Sequence, residues 1–305
     1  LTDWAPGASD LSRKLAQRSW PGPVTLLLRG APHRGLAGRL PPEVQAVVTP
    51  SDVIGLRSPA HPIVQDILHL IPNPLVITGA RREGMNIPPA RTVDPLTVLN
   101  GVDLVLDGGL VPGEVGSSVL SIDGINWSVT RPGIIGEDEL ARRCGRVLLF
   151  VCTGNTCRSP MAEALCRTML SRRLGCQPEE LARRGYVVLS AGIAASDGAP
   201  AAAHAASIVS DRGGSLHQHS SRLLTPTLVR TADHIIVMTA GHRETVLAYF
   251  PEAAPRVVLL DPAGGDIDDP IGSDRETYRM TALEIERHLT TLLDQLGASA
   301  ATDVD

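Results

Sequence analysis

Between residues 152 and 160 the chain reads Cys152-Thr153-Gly154-Asn155-Thr156-Cys157-Arg158-Ser159-Pro160. A cysteine, five residues and an arginine can wrap so that successive main-chain N–H groups point inward at one anion. Gly154 and Asn155 tolerate the left-handed backbone that such a wrap needs. Ser159 suits a helix N-cap and Pro160 the first helical position, so the helix would present its positive end to the loop, where a phosphate fits. The same field favours a thiolate at Cys152, an ionised nucleophile. Arg158 can hold two phosphoryl oxygens with its planar fork, a grip that lysine lacks. Ser159 can hydrogen-bond the sulfur and help it leave a phosphoenzyme. Cys152 and Arg158 are therefore the catalytic candidates, with Thr153, Gly154, Asn155, Thr156, Cys157 and Ser159 as substrate-binding candidates. The competing uses are a buried structural cysteine beside a surface arginine, or half of a zinc knuckle on Cys152 and Cys157. No second Cys or His pair has the spacing to complete a knuckle, so no metal site and no cofactor are expected.

Phosphoryl transfer also needs a proton for the leaving group, which a carboxylic acid can give. Asp266, Asp268 and Asp269 cluster late in the chain, and their spacing alone does not rank them. His217 and His219 stand two apart, a metal-binding spacing on a strand, but surface or capping roles are expected without a third ligand. Cys157 is placed either to form a reversible disulfide with Cys152 or to fill space.

The elements that must position this loop follow from composition and pattern. At ~150 residues per domain, 305 residues suggest two domains. Hydrophobic residues at 43% and charged residues at 20% are ordinary globular values. With 28 basic and 33 acidic residues the formal charge is -5, which excludes a globally polybasic phosphate-backbone binder but not a local basic patch. Five cysteines confined to 144–176 are an odd set with no secreted-scaffold spacing, so reduced thiols and a cytoplasmic location are expected. The longest apolar runs, 147–151 and 234–238, fall far short of the ~20 residues of a membrane span. The first residue is Leu1 rather than Met and 1–10 lacks a signal-peptide pattern, so an upstream portion is expected.

Turn formers at 131–136 followed by Glu137-Asp138-Glu139 place a boundary near Arg143, giving domains 1–143 and 144–305. The first half has strand-like runs at 24–28, 53–56, 75–77, 104–106 and 117–121 and few helical stretches beyond 61–70, an α+β pattern. The second half alternates strand and helix: strands at 146–150, 186–190, 234–238 and 257–260, helices from 160, near 199–211, near 242–249 and from 275. This predicts an α/β fold, a doubly wound parallel four-stranded sheet whose ligand lies beyond the carboxyl ends of the strands.

The segment from Cys152 through Met161-Ala162-Glu163 resembles the low-molecular-weight protein tyrosine phosphatases. The likeness continues through Ser190-Ala191-Gly192, His219-Ser220-Ser221-Arg222 and 232–239, and spans 146–296. The resemblance implies the phosphatase fold, a cysteinyl-phosphate intermediate, and Asp269, in Asp269-Pro270, as acid in the first step and base for water in the second. It implies a phosphorylated protein as substrate. Thr156 stands where the tyrosine phosphatases carry an aliphatic residue and the related protein arginine phosphatases carry Thr; a hydroxyl there suits a guanidinium N–H and favours phosphoarginine. Ile271 departs from the aromatic residue of both groups. Arsenate reductases share the loop but need a further cysteine pair downstream, which is absent here.

Trp20-Pro21-Gly22-Pro23-Val24-Thr25 resembles the YrdC-like threonylcarbamoyl-adenylate synthases, which act in tRNA modification. Gly55-Leu56-Arg57-Ser58-Pro59, 102–109, Ser117-Ser118-Val119 and Arg131-Pro132-Gly133 extend the likeness over 11–135. The family's basic nucleotide motif upstream of Trp20 is absent, and Gly79-Ala80-Arg81 replaces its Ser-Ala-Asn. The expectation is a partial YrdC-like domain that does not make the adenylate alone. Such a remnant could still meet nucleotide or double-stranded RNA, through Arg81, Arg82 and Arg91 among others. A bifunctional synthase/phosphatase is the alternative if the upstream segment exists.

Overall fold

Short β-branched and leucine runs bounded by glycine and proline set the strands of the first half, and near-continuous apolar runs set those of the second. The computed structural model describes residues 1–30, 35–71, 73–77, 103–109 and 115–297. It divides into two compact units, Leu1–Cys144 and Gly145–Asp305.

In the first unit, β1 (Val24–Arg29), β2 (Val53–Leu56), β3 (Ser118–Asp123) and β4 (Asn126–Arg131) form a sheet of order β2-β1-β3-β4. Only the β1–β3 pair is parallel. Leu26, Leu28, Ile54, Leu120 and Ile122 bury against Leu15 of the helix Asp10–Ser19 and Leu140 of the helix Glu137–Cys144. Both helices are mostly polar with a narrow apolar stripe, so composition hides them. The charged stretch at 137–139 is the acidic first turn of the second helix, placed favourably against its positive end. Strand β4 is half exposed and polar and enters through Gly124, whose φ of 61° completes the hairpin turn. The expected strands at 75–77 and 104–106 are not formed: both stretches run without a sheet partner, and Val76 and Leu104 stand 64% and 74% exposed. Arg81, Arg82 and Arg91 lie outside the described residues.

The second unit is a parallel sheet of order β6-β5-β7-β8, from β5 (Arg146–Cys152), β6 (Tyr186–Gly192), β7 (His234–Val237) and β8 (Val257–Leu259). Successive strand residues face opposite sides. Leu148, Phe150 and Cys152 join the core beneath the helices Arg158–Leu174, Ala203–Ser210 and Arg275–Gln295. Val147, Leu149 and Val151 join the other core, with Val229 of Pro226–Thr231 and Val246 of Ala240–Tyr249. Strand order reverses at β5, so the loop after Cys152 opens at the switch point. Among the described residues no helix is long and apolar enough to cross a membrane.

Phe150 is fully buried at the centre of this sheet. Phe150→Ala is expected to lower unfolding free energy by about 3–5 kcal/mol, measured by urea titration with far-UV circular dichroism.

Candidate active site

Strand alternation aims Cys152 toward the helix Arg158–Leu174, and the chain between them turns back on itself. The left-handed residue is Asn155, with φ 55°, fully buried. Its Nδ2 donates to Ser159 Oγ and to Ser190 Oγ, each at 2.9 Å, and its Oδ1 accepts from the Arg222 N–H at 3.0 Å. The Asn155 carbonyl meets His219 Nε2 at 2.8 Å, so that ring holds the loop. Ser190 Oγ donates to the Glu163 carboxylate at 2.6 Å. Both hydrogens of the Asn155 amide are then used, and Ser159 Oγ accepts one of them. Its own hydrogen is left for Cys152 Sγ at 3.0 Å, or for the Ala191 carbonyl at 3.3 Å.

Two local expectations are corrected. The helix begins at Arg158 with Cys157 at the N-cap, so Ser159 lies inside the first turn and Pro160 one residue further on. The Ser159 hydroxyl is drawn from capping by Asn155 and the sulfur, and Pro160 in the first turn still has no N–H to lose. Gly154 does not adopt positive φ; the glycine the loop requires is Gly192, at the end of β6. A Cβ there would sit 2.4 Å from the Thr153 carbonyl oxygen and 2.9 Å from the Asn155 nitrogen.

Arg158 turns inward and is 5% exposed. Nη1 donates to the Ile267 carbonyl at 3.0 Å, Nη2 pairs with Asp269 Oδ2, and Nε is buried with no partner. A bare buried N–H costs about 1–3 kcal/mol, more on a charged group, so of this fork it is the Nε donor that stands open to a further acceptor. The loop after β8 brings Asp269 here because Ile267 N–H bonds the Met238 carbonyl at 2.8 Å and Asp266 Oδ1 accepts from Ala240 N–H at 2.7 Å. Of the three acidic candidates, Asp269 reaches the arginine and Asp266 accepts from the first N–H of the earlier helix Ala240–Tyr249.

Thr156 is half-buried, its Oγ1 3.7 Å from Cys157 Sγ. Cys157 Sγ lies 3.2 Å from the Tyr278 hydroxyl; burial, and then this contact, push the phenol up. Burial pushes Cys144 up to about 12 and also raises Cys166 and Cys176, so these stay thiols. Sequence reasoning left His242 unassigned. Its ring is 5% exposed, with Nε2 2.9 Å from Thr153 Oγ1 and Nδ1 2.8 Å from Thr239 Oγ1. Burial first, then Arg158, lower it from 6.5 to about 4, against Asp269 and Asp266. The one sequence signal was Thr239, which caps the helix Ala240–Tyr249 and fixes the position of the histidine. Glu163 was visible only as part of the motif. Among the described residues no group of three His, Cys, Asp or Glu side chains could hold a metal ion.

A thiol and a buried guanidinium on one inward-turned loop, at the switch point of a parallel sheet, define the class of cysteine-dependent phosphatases. The chain belongs to the low molecular weight phosphotyrosine protein phosphatase family, whose profile matches residues 147–302. A protein-arginine-phosphatase of Geobacillus stearothermophilus is 36% identical over 160 residues, covering 51% of this chain and 97% of the relative. One of Bacillus subtilis is 36% identical over 153 residues, covering 49% and 95%. A probable low molecular weight protein-tyrosine-phosphatase of Ralstonia solanacearum is 32% identical, covering 50% and 97%. The Sua5/YciO/YrdC profile, described as telomere recombination, matches residues 2–133.

Gly192→Ala is expected to weaken orthovanadate binding at least tenfold and to lower stability by about 1–3 kcal/mol, read by isothermal titration and by urea denaturation.

Proposed function

We propose that the second unit hydrolyses phosphorylated protein side chains through a cysteinyl-phosphate, with phosphoarginine favoured over phosphotyrosine. The observation that carries this is the buried Arg158 fork, its Nε unpartnered, on the same loop as Cys152. Cys152 thiolate attacks phosphorus in line while the loop N–H groups and Arg158 hold the non-bridging oxygens. The bond from phosphorus to the leaving nitrogen or oxygen breaks, and its electron pair takes the proton of Asp269. Asp269, now a carboxylate, accepts a proton from water; the water oxygen bonds to phosphorus, the S–P bond breaks and inorganic phosphate leaves. Ser159 donates to the departing sulfur. Thr156 supports the phosphoarginine preference, since an apolar ring edge would leave its hydroxyl unpaired, as do the arginine phosphatases among the relatives. Five unpaired cysteines fit a reducing, cytoplasmic setting.

For the first unit we infer contact with a nucleotide or RNA, supported by the family profile over 2–133 and by a paired cationic patch. Burial, and then Arg131, hold Arg57 below the ordinary guanidinium range, and Arg131 Nη2 lies 3.3 Å from Ser117 Oγ. The alternative reading is a bifunctional threonylcarbamoyl-adenylate synthase/phosphatase, if the gene product has the upstream segment that carries the nucleotide motif.

Turnover of an aryl phosphate is expected to persist in chelator, since protein groups fill every role. Cys152→Ser should lower kcat by ~10^3-fold or more and Asp269→Asn by ~10^2 to 10^4-fold; retained turnover in Cys152→Ser contradicts the nucleophile. Phosphoarginine should give the higher kcat/KM in a direct comparison with phosphotyrosine. Filter binding of the full chain to double-stranded RNA should weaken as salt rises, and no binding at low salt removes the RNA reading.

A further inference from the structure

Thr153 follows the nucleophile directly and is exposed, while its neighbours Cys152 and Asn155 are buried. Its hydroxyl is held by a ring that is itself fixed at both nitrogens. Thr239 Oγ1 takes the His242 N–H at 3.1 Å as helix cap and meets Nδ1 at 2.8 Å, and Nε2 meets Thr153 Oγ1 at 2.9 Å. A buried imidazole spanning two threonine hydroxyls has no freedom to turn away. One edge of the site is therefore polar and rigid at the residue next to Cys152.

We propose that Thr153, oriented by His242, is a specificity-determining acceptor for N–H groups of the leaving group. This rests on the phosphatase reading above and deepens it, by assigning a second hydroxyl besides Thr156 to the choice between a guanidinium and a phenol. Two chemical facts carry it. If Nε2 bears the proton, Thr153 Oγ1 accepts it and keeps a second lone pair; if Nε2 is bare, the Thr153 hydroxyl donates to it and keeps both. In either neutral tautomer the oxygen has a lone pair for a substrate N–H, which a guanidinium supplies and a phenolic ether oxygen does not. The second fact is charge. A guanidinium leaving group is cationic, and an imidazolium beside it would repel it. Burial and the Arg158 charge keep His242 neutral far below pH 7, and the charges that bear on it from the loop after β8 are the carboxylates of Asp269 and Asp266.

His242 touches no substrate in this scheme and acts as a positioning residue, which two isosteres separate from a structural role. Asn places its amide near the Nδ1 position and keeps the Thr239 contact; Gln reaches the Nε2 position and keeps the Thr153 contact. The test measures kcat/KM for phosphoarginine and for an aryl phosphate in the full chain. Thr153→Val and His242→Asn are each expected to lower the phosphoarginine-to-aryl ratio by about tenfold, the discrimination of one hydrogen bond at ~1.4 kcal/mol. The double variant should be no worse than Thr153→Val, whereas His242→Gln and Thr153→Ser should restore most of the ratio. An unchanged ratio in Thr153→Val, or additive losses in the double variant, overturns the proposal. Equal losses for Asn and Gln at 242, with lowered thermal midpoints, also overturn it in favour of a structural histidine. Should wild type turn over the aryl phosphate with full dependence on Cys152 and yet show these negative outcomes, the phosphatase reading stands and only this inference fails. Absence of any Cys152-dependent turnover in wild type refutes both.

Discussion

A main chain that gathers several N–H groups around one point must leave the ordinary helical and extended regions, and an L-residue in the left-handed region costs roughly 1–2 kcal/mol. Asn155 bears that cost here at φ 55°. Its amide makes three hydrogen bonds, to Ser159, Ser190 and the Arg222 N–H. At about 0.5–1.5 kcal/mol net for each, they match or exceed the backbone penalty, provided all are kept. Four parts of the unit meet at this side chain: the loop itself, the loop helix, β6 and the stretch at Arg222 that follows the helix Ala203–Ser210. The same bonds decide which way the Ser159 hydroxyl points, and so what the sulfur of Cys152 meets.

Charge around the loop is arranged with equal economy of groups. Arg158 is buried against a carbonyl and a carboxylate, and the neighbouring His242 is kept uncharged, so that one permanent cation faces the cup rather than two. Acidic side chains from the loop after β8 play different parts: Asp266 ties that loop to the helix following β7, and thereby sets where Asp269 can reach. Burial pushes Cys144, Cys166 and Cys176, all outside the loop, toward the thiol.

The second sheet was legible because its strands are apolar on both faces and alternate with helices, a pattern that leaves few topologies. The loop was legible because Cys152, Arg158 and Ser159 are local in sequence. What escaped is non-local: His242 lies 89 positions from Thr153, and Thr239 beside it signals a helix start but not this contact. Ser159 was misread for a related reason. A Ser-Pro pair is a good helix start by local rules, but a buried amide and a sulfur outbid the cap for its hydroxyl. In the first unit the polar strand β4 and the narrow-striped helices were invisible to hydrophobic pattern, while 75–77 and 104–106 carried that pattern without a sheet to join.

The pairing of Arg158 with Asp269 means that the resting pocket already contains a carboxyl group tethered to the protein. In the proposed reaction an incoming dianion has to evict it, so every ligand would meet an internal competitor whose local concentration never dilutes. In the mechanism proposed above, that competitor is also the acid side chain: displaced from the guanidinium, it is freed beside the departing atom of the substrate. In that mechanism, occupancy of the cup and liberation of the proton donor are one event.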